Sequence, residues 1–455
     1  MSSVPVSESR PKVVITGMGV ASPLGLTLPS LWDACRRGIS GVRPFILRGA
    51  TPPPIAFAGQ AVDFTGDIAD FGTPAASLKK DIRKSLKLMS REIQMGVAAA
   101  ERAIQDAGIE QGALPPHRVG VSFASDYIVT APEEFSEGVA ACLTDGQFDF
   151  SRWATDGKKK MTPIWQLKFL PNMPTSHISI LNGFHGVGSA VMNRDASIGT
   201  AVSEAVEIIK SGKVDVMIVG ATGSLIHPYR LIPSILTEQL ADASLAPEKA
   251  SRPFDRDRTG LVLGEGAGSL VLESAEHALR RGAAIRAEVV GGACRCSITR
   301  NQKPNDIEFF DTENRERLTE SLLLSLEALF RKTGTDPASV GHIAAHGAGN
   351  RVLDAAEATA IRRFFGDAAD ALPVTTLKGH MGNSGSGGGA LDLIASVMAL
   401  ENNALYPILN NETDDPDCPI HPVRSFGDNP GDSFVKLACQ RYGHSSALLV
   451  RRYQA

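Results

Sequence analysis

The feature that most constrains this chain is the alternation of short apolar runs with helical stretches. "VVITGMGV" (Val13 to Val20), "VDVMIVGAT", "GSLVLES", "AEVVGGA", "HIAAHGA" and "SSALLVRR" read as strands, and most are apolar enough to be covered on both faces. Between them, "LPSLWDACRRGIS" has helical spacing and a glycine stop, and "SREIQMGVAAAERAIQDAGIE" is a helix of Ala, Glu, Arg and Met. Covered strands separated by helices predict an α/β layered fold. At 455 residues the chain is long enough for two domains or one duplicated layered fold. A strand ending in glycine near the start of each half, at Gly17 and Gly347, hints at the duplication.

Charge and cysteine usage narrow the function classes. With 43% hydrophobic and 21% charged residues the composition is that of a globular protein, and a net charge of -4 argues against a nucleic-acid surface. The six cysteines are too few and scattered for a disulfide framework, which fits a reducing cytoplasm. The start, "MSSVPVSESRPK", has no signal-peptide core, and no apolar run reaches bilayer length, so a soluble cytoplasmic protein without a membrane span is expected. Cys294 and Cys296 lack a second pair at zinc spacing, and His342 lacks a third ligand beside His346, so no metal site is expected. No Pro/Ser-rich linker divides the chain. "FDFSRWATDGKKKMT", "TRNQKPNDIEFFDTENRER" and "NNETDDPDCPIHPVRSFGDNPGDS" read as polar excursions, with Lys158 to Lys160 a solvated loop.

Three glycine-rich segments carry the functional signal. "SRPFDRDRTGLVLGEGAGSLVLES" is a charged loop running into a strand, where glycines permit close backbone approach. "AAHGAGNRVLDAAEATAI" sets His346 at a strand end before a helix whose first turns carry Asp354 and Glu357. "TTLKGHMGNSGSGGGALDLIASVMAL" feeds a glycine-rich loop into an apolar helix. It lacks the Gly-Lys-Ser/Thr ending of a P-loop and reads as a close-packed helix start.

With "VVITGMGVASPLG", "RKSLKLMSREIQMGVAAAERAIQDAGIE" and "SSALLVRR", these segments resemble the elongating β-ketoacyl-acyl-carrier-protein synthases of the thiolase-fold superfamily over nearly the whole chain. The resemblance implies a five-layered αβαβα duplication with halves 12–275 and 276–455, and an acyl pocket near a dimer interface. It further implies an acyl carrier protein as partner, a homodimer or a heterodimer with a ketosynthase, and no cofactor. Such enzymes load an acyl group on a cysteine thiolate at a helix start, decarboxylate a malonyl carrier, and join the two. A histidine pair holds the developing enolate charge.

Aligned on that pattern, "NRDASIGTAVSEAVEIIKSGKVDVMIVGAT" puts Asp195 on the nucleophile position, counted from "GFHGVGS" and from "DVMIVGA" alike. His346 matches the first histidine, Lys378 the family lysine and Asp392 its acidic partner, while Asn383 replaces the second histidine. Ala348 and Asn350 stand where threonines grip the pantetheine arm, and Arg441 and Gly443 lie in the changed gating loop "QRYGHS". Glu357 is structural. Asp195 reads either as a helix N-cap or as a general base, since a carboxylate is a weak nucleophile toward a thioester. Three functions stay open: an enzyme of altered chemistry on carrier-bound chains, a non-condensing subunit like a chain-length factor, and a stand-alone acyl-binding protein.

Overall fold

The computed structural model describes residues 11–46, 54–297 and 312–454, so the first ten residues and the polar stretch from Thr299 as far as residue 311 lie outside it. Its apolar runs form a sheet in which one pattern occurs twice. The first half contributes β1 (Val13–Ala21), β2 (Val119–Ser125), β3 (Gly188–Val191), β4 (Val216–Ser224) and β5 (Glu265–Ser274) in the order β3-β2-β4-β5-β1. The second contributes β6 (Ala287–Cys296), β7 (His342–Ala344), β8 (Pro373–Thr375), β9 (Ser433–Cys439) and β10 (His444–Arg451) in the order β8-β7-β9-β10-β6. Strand sense repeats as well. The second strand of each half is parallel to the third and fourth, the fourth is antiparallel to the fifth, and the fifth to the first.

The halves join where β1 pairs antiparallel with β6, Val13 opposite Val289 and Ile15 opposite Ala287. By strand order the counterpart of β1 is β6. The glycine pair expected to mark the repeat is therefore not equivalent: Gly17 lies in a first strand, and Gly347 follows a second one.

Helices fill the other layers. α1 (Arg91–Asp106) and α2 (Met173–Asn182) cover the first half; α3 (Ser197–Lys210) lies inside, and α4 (Pro228–Thr237) follows β4. α5 (Thr312–Thr333) and α6 (Arg351–Phe365) cover the second half, and α7 (Ser386–Asn402) lies beside α3 between the two halves. The result is a five-layered αβαβα arrangement. Every residue of α7 from Ser386 to Leu400 is buried, which suits a helix apolar on all sides. Gly387 is required by close approach: a Cβ there would stand 2.0 Å from the carbonyl oxygen of Gly266.

Two local readings change. "HIAAHGA" pairs only from His342 to Ala344, so His346 lies beyond the strand end. Lys158–Lys160, expected as a loop, form an exposed helical turn continuing a wider turn at Trp153–Gly157. Among the described residues no helix is long and apolar enough to cross a membrane.

Candidate active site

β3 ends at Val191, and the chain turns sharply through Arg194–Ala196 before α3 begins at Ser197. Arg194 takes φ +47, an uncommon conformation for a residue with a side chain. Hydroxyl groups hold the turn. Ser197 Oγ accepts from the Asn193 amide at 2.8 Å, and Ser386 Oγ, at the start of α7, lies 2.9 Å from the Arg194 carbonyl oxygen and 3.0 Å from Asp126 Oδ1. The turn of one half is thus fastened to the central helix of the other.

Asp195 does not cap α3. The N-cap position is Ala196, no side-chain cap bond is present, and Asp195 is 8% exposed with Oδ1 buried and without a hydrogen-bond partner among the described residues. The cap reading therefore fails on geometry, because Asp195 stands one residue too early and inside a tighter turn. Burying a carboxylate oxygen without a donor costs about 1–3 kcal/mol or more.

The other candidate residues converge on the first turn of α7. A Cβ on Gly389 would lie 3.3 Å from the Asp195 carbonyl oxygen, and one on Gly388 would lie 3.6 Å from both Asn383 Oδ1 and Lys378 Cε. Asn383 Oδ1 accepts from the Gly385 amide at 3.1 Å, which turns the Nδ2 group toward other acceptors; Nδ2 has no hydrogen bond among the described residues. His346 is buried, and its backbone is fixed. Its N–H donates to Glu357 Oε1 at 2.7 Å, and its carbonyl accepts from Lys378 Nζ at 2.7 Å. Burial and the positive charges of Lys378 and Lys436 hold the imidazole well below its ordinary range, so it is neutral and one ring nitrogen can donate.

Lys378 donates to Asp392 Oδ2 at 2.8 Å. Sequence reasoning missed the second cation there: Lys436 Nζ lies 3.0 Å from the same oxygen and 2.9 Å from the Ala345 carbonyl. Burial drives the Lys436 ammonium down against the pull of Asp392. At Lys378 burial acts the same way, but Asp392 prevails and the value is raised. A lone lysine inside the apolar run "SFVKLAC" was the available signal. Arg258 was missed too; it is buried and ion-paired with Asp354 and Asp415, anchoring the charged loop of the first glycine-rich segment.

The positions expected to grip substrate serve other ends here. Ala348 donates its N–H to Asp354 Oδ1 at 2.8 Å and offers no hydroxyl. Asn350 caps α6, with Oδ1 accepting from Val352 and Leu353 at 2.9 and 3.1 Å. Arg441 lies 3.4 Å from Glu238, which also meets Arg194 at 3.5 Å, and both guanidinium groups lie over the Tyr442 ring. Gly443 forms a turn at φ +92, and its carbonyl accepts from Ser321 Oγ at 2.6 Å.

Cys439, last in β9, does not replace the missing thiol. Burial, then the carboxylates of Glu357, Asp195 and Asp354, push it well above the ordinary thiol range, so it stays protonated and a poor nucleophile. The site therefore offers one carboxylate, two neutral hydrogen-bond donors and a buried lysine–carboxylate network.

Comparisons with known proteins agree with this architecture. Residues 10–278 match the family model for the beta-ketoacyl synthase N-terminal domain, and residues 306–412 match that for the C-terminal domain. The chain is 30% identical to 3-oxoacyl-[acyl-carrier-protein] synthase 2 of Coxiella burnetii over 410 residues, 90% of each chain. It is 31% identical to the tetracenomycin polyketide synthase ketoacyl synthase alpha subunit of Streptomyces glaucescens, over 98% of each chain. Among solved structures, the ishigamide ketosynthase/chain length factor superposes with TM-score 0.79 at 25% identity, covering 98% of this chain and 100% of that one. With the fold, the sharp turn at Arg194–Ala196 and the two-domain match in agreement, the chain belongs to the β-ketoacyl synthase family.

Proposed function

We propose that this family member acts on acyl chains tethered to an acyl carrier protein by acid–base chemistry, without an acyl-enzyme. Asp195 serves as the base that removes a proton next to the thioester carbonyl. His346 and Asn383 Nδ2 donate to the carbonyl oxygen as it gains enolate charge. Lys378, through its bond to the His346 carbonyl, positions that histidine and is not itself the acid. The observation that carries the reading is Asp195 Oδ1, a buried carboxylate oxygen that no backbone or side-chain donor satisfies among the described residues. Such an atom calls for an explanation, and proton transfer to a substrate supplies one.

A second reading is supported by different observations. β3 is the edge strand of the sheet, and nearby apolar side chains such as Ile180, 72% exposed, face outward. An unpaired edge beside exposed apolar groups suits pairing with a second ketosynthase-family chain in the cytoplasm, as a homodimer or in a chain-length-factor-like heterodimer. The shared Arg194–Glu238–Arg441 contact would then hold the gating loop closed over a site that does no chemistry.

One experiment separates the two. The purified protein is incubated in deuterium oxide with acyl- and malonyl-loaded carrier protein, and carrier and protein are followed by intact mass, so that proton removal next to the thioester is read as deuterium taken up by the bound chain. Conversion of the carrier-bound chain with no mass added to residues 193–200 supports the base mechanism. No conversion unless a ketosynthase partner is added, with Asp195→Asn indistinguishable in the complex, supports the subunit reading. An acyl adduct on that segment defeats both.

A further inference from the structure

Lys436 lies in β9 beside Ala344, the last residue of β7, at the point where the chain leaves the sheet toward His346. Two ammonium groups meet there at one carboxylate oxygen. Lys378 Nζ lies 2.8 Å and Lys436 Nζ 3.0 Å from Asp392 Oδ2, and the two donate to consecutive carbonyls, Lys378 to His346 at 2.7 Å and Lys436 to Ala345 at 2.9 Å. From the other side, Glu357 accepts from the amides of His346 and Gly347 at 2.7 and 2.9 Å. Every polar main-chain group from the Ala345 carbonyl to the Gly347 amide is thus tied to a buried ionisable side chain.

The imidazole itself has no such hold. Neither ring nitrogen of His346 makes a hydrogen bond among the described residues, whereas the ring of His380 is bonded at both nitrogens, to the carbonyls of Ile39 and Pro407. A working histidine is commonly aimed by a bond at its second nitrogen. Here the aim depends on the main chain that carries the ring. Lys436 is not needed to balance charge, since Lys378 already pairs with Asp392. Burial first, and then the charge of Lys378, act against its ammonium, and a second desolvated cation with only a share of one carboxylate is costly. In a strand buried throughout, a methionine would fill the same length without charge, but it would not hold the Ala345 carbonyl.

We propose that Lys436 is a positioning residue for His346, fixing through the Ala345 carbonyl and Asp392 the main chain from which the imidazole reaches the substrate oxygen. The inference rests on the reading of His346 as a donor to that oxygen. Lys436 touches neither substrate nor ring nitrogen in this role and acts through His346. A donor displaced by as little as about 1 Å loses much of its effect on rate, so removing one of the ties should slow the chemical step while leaving carrier binding in place.

A double-variant cycle in the deuterium-uptake assay tests it. Lys436→Met is expected to lower kcat about tenfold or more with KM changed less than about twofold, and to add nothing to the loss already present in His346→Ala. Lys436→Gln, which keeps a donor on a side chain one bond shorter, takes its place if the methionine variant does not fold. A slow His346→Ala beside a folded Lys436→Met of wild-type kcat, or losses that multiply independently in the double variant, overturn the proposal alone. No uptake by the wild type, or a full rate in His346→Ala, defeats the reading of the site and the proposal with it. Nuclear magnetic resonance of the His346 ring carbons reads the positioning directly: one sharp signal in the wild type should broaden or double in Lys436→Met, and an unchanged signal overturns the proposal.

Discussion

Two buried polar clusters meet at the central helices, and they are finished to different degrees. In the second half, Asp392 is complete: Oδ1 accepts from the Leu377 amide at 2.8 Å and from Thr376 Oγ1 at 3.3 Å, and Oδ2 takes both lysines. Behind the turn at Arg194–Ala196 in the first half, Asp195 Oδ1, Glu92 Oε1 and Arg230 Nε are buried with no hydrogen bond among the described residues. Burial raises the Asp126 carboxylate, as does the charge of Asp195, against Arg230. A closed network fixes backbone in place, here the loops that carry His346 and Lys378. An open one keeps groups ready for something that arrives later.

The contrast breaks most visibly at Asp392. Asp392→Ala leaves two buried lysines sharing no carboxylate, and a loss of roughly 3–5 kcal/mol in urea-unfolding stability is expected, enough to prevent folding in a marginal protein. Its pKa is lowered in the fold: burial acts to raise it, and the two lysines overcome that. The stabilisation is therefore present above the ordinary aspartate range and is lost as pH falls below it. A variant as stable as the wild type would mean the closed cluster is not structural.

Glu357 sharpens the comparison through pH. Burial pushes its carboxyl up to about 7 although two backbone N–H groups oppose this. An acid raised on folding is stabilised in its protonated form, so its contribution is complete below the usual glutamate range and declines as pH rises through about 7. The change is roughly 3 kcal/mol between those limits. Unfolding midpoints measured across that window should slope downward in the wild type and flatten in Glu357→Gln. A parallel slope in both would assign the effect elsewhere.

The smallest effect belongs to Asn350. Because it serves here as the cap of α6, Asn350→Ala should cost about 1 kcal/mol and Asn350→Ser less. If both leave stability unchanged and weaken carrier-protein binding instead, the residue grips substrate after all.

Much of the architecture was legible in the chain because it depends on local pattern. β1, β4, β5, β6 and β10 were recognisable as apolar runs, and α1 by its period. His346, Lys378 and Asp392 could be placed because each sits in a glycine-marked segment that fixes its register. What stayed hidden depends on convergence from distant segments. Glu92, Asp126 and Arg230 lie on separate elements, and none differs locally from a surface charge until the fold buries it. Lys436 was hidden differently, as the only charge in a strand that was not itself recognised. The cap preference of aspartate pointed to a role for Asp195 that the geometry withholds, because the extra turn at Arg194–Ala196 cannot be counted from residue types.

The central claim is that Asp195 acts chemically. The direct measurement is the rate at which carrier-bound acyl thioester is converted by the wild type and by Asp195→Asn, with melting temperature and assembly state matched. Loss of the base should lower the rate by roughly 10²–10⁴-fold while melting stays near that of the wild type, because the amide keeps the shape of the side chain. Equal rates in two equally folded proteins would contradict the account and leave the carboxylate without a catalytic role.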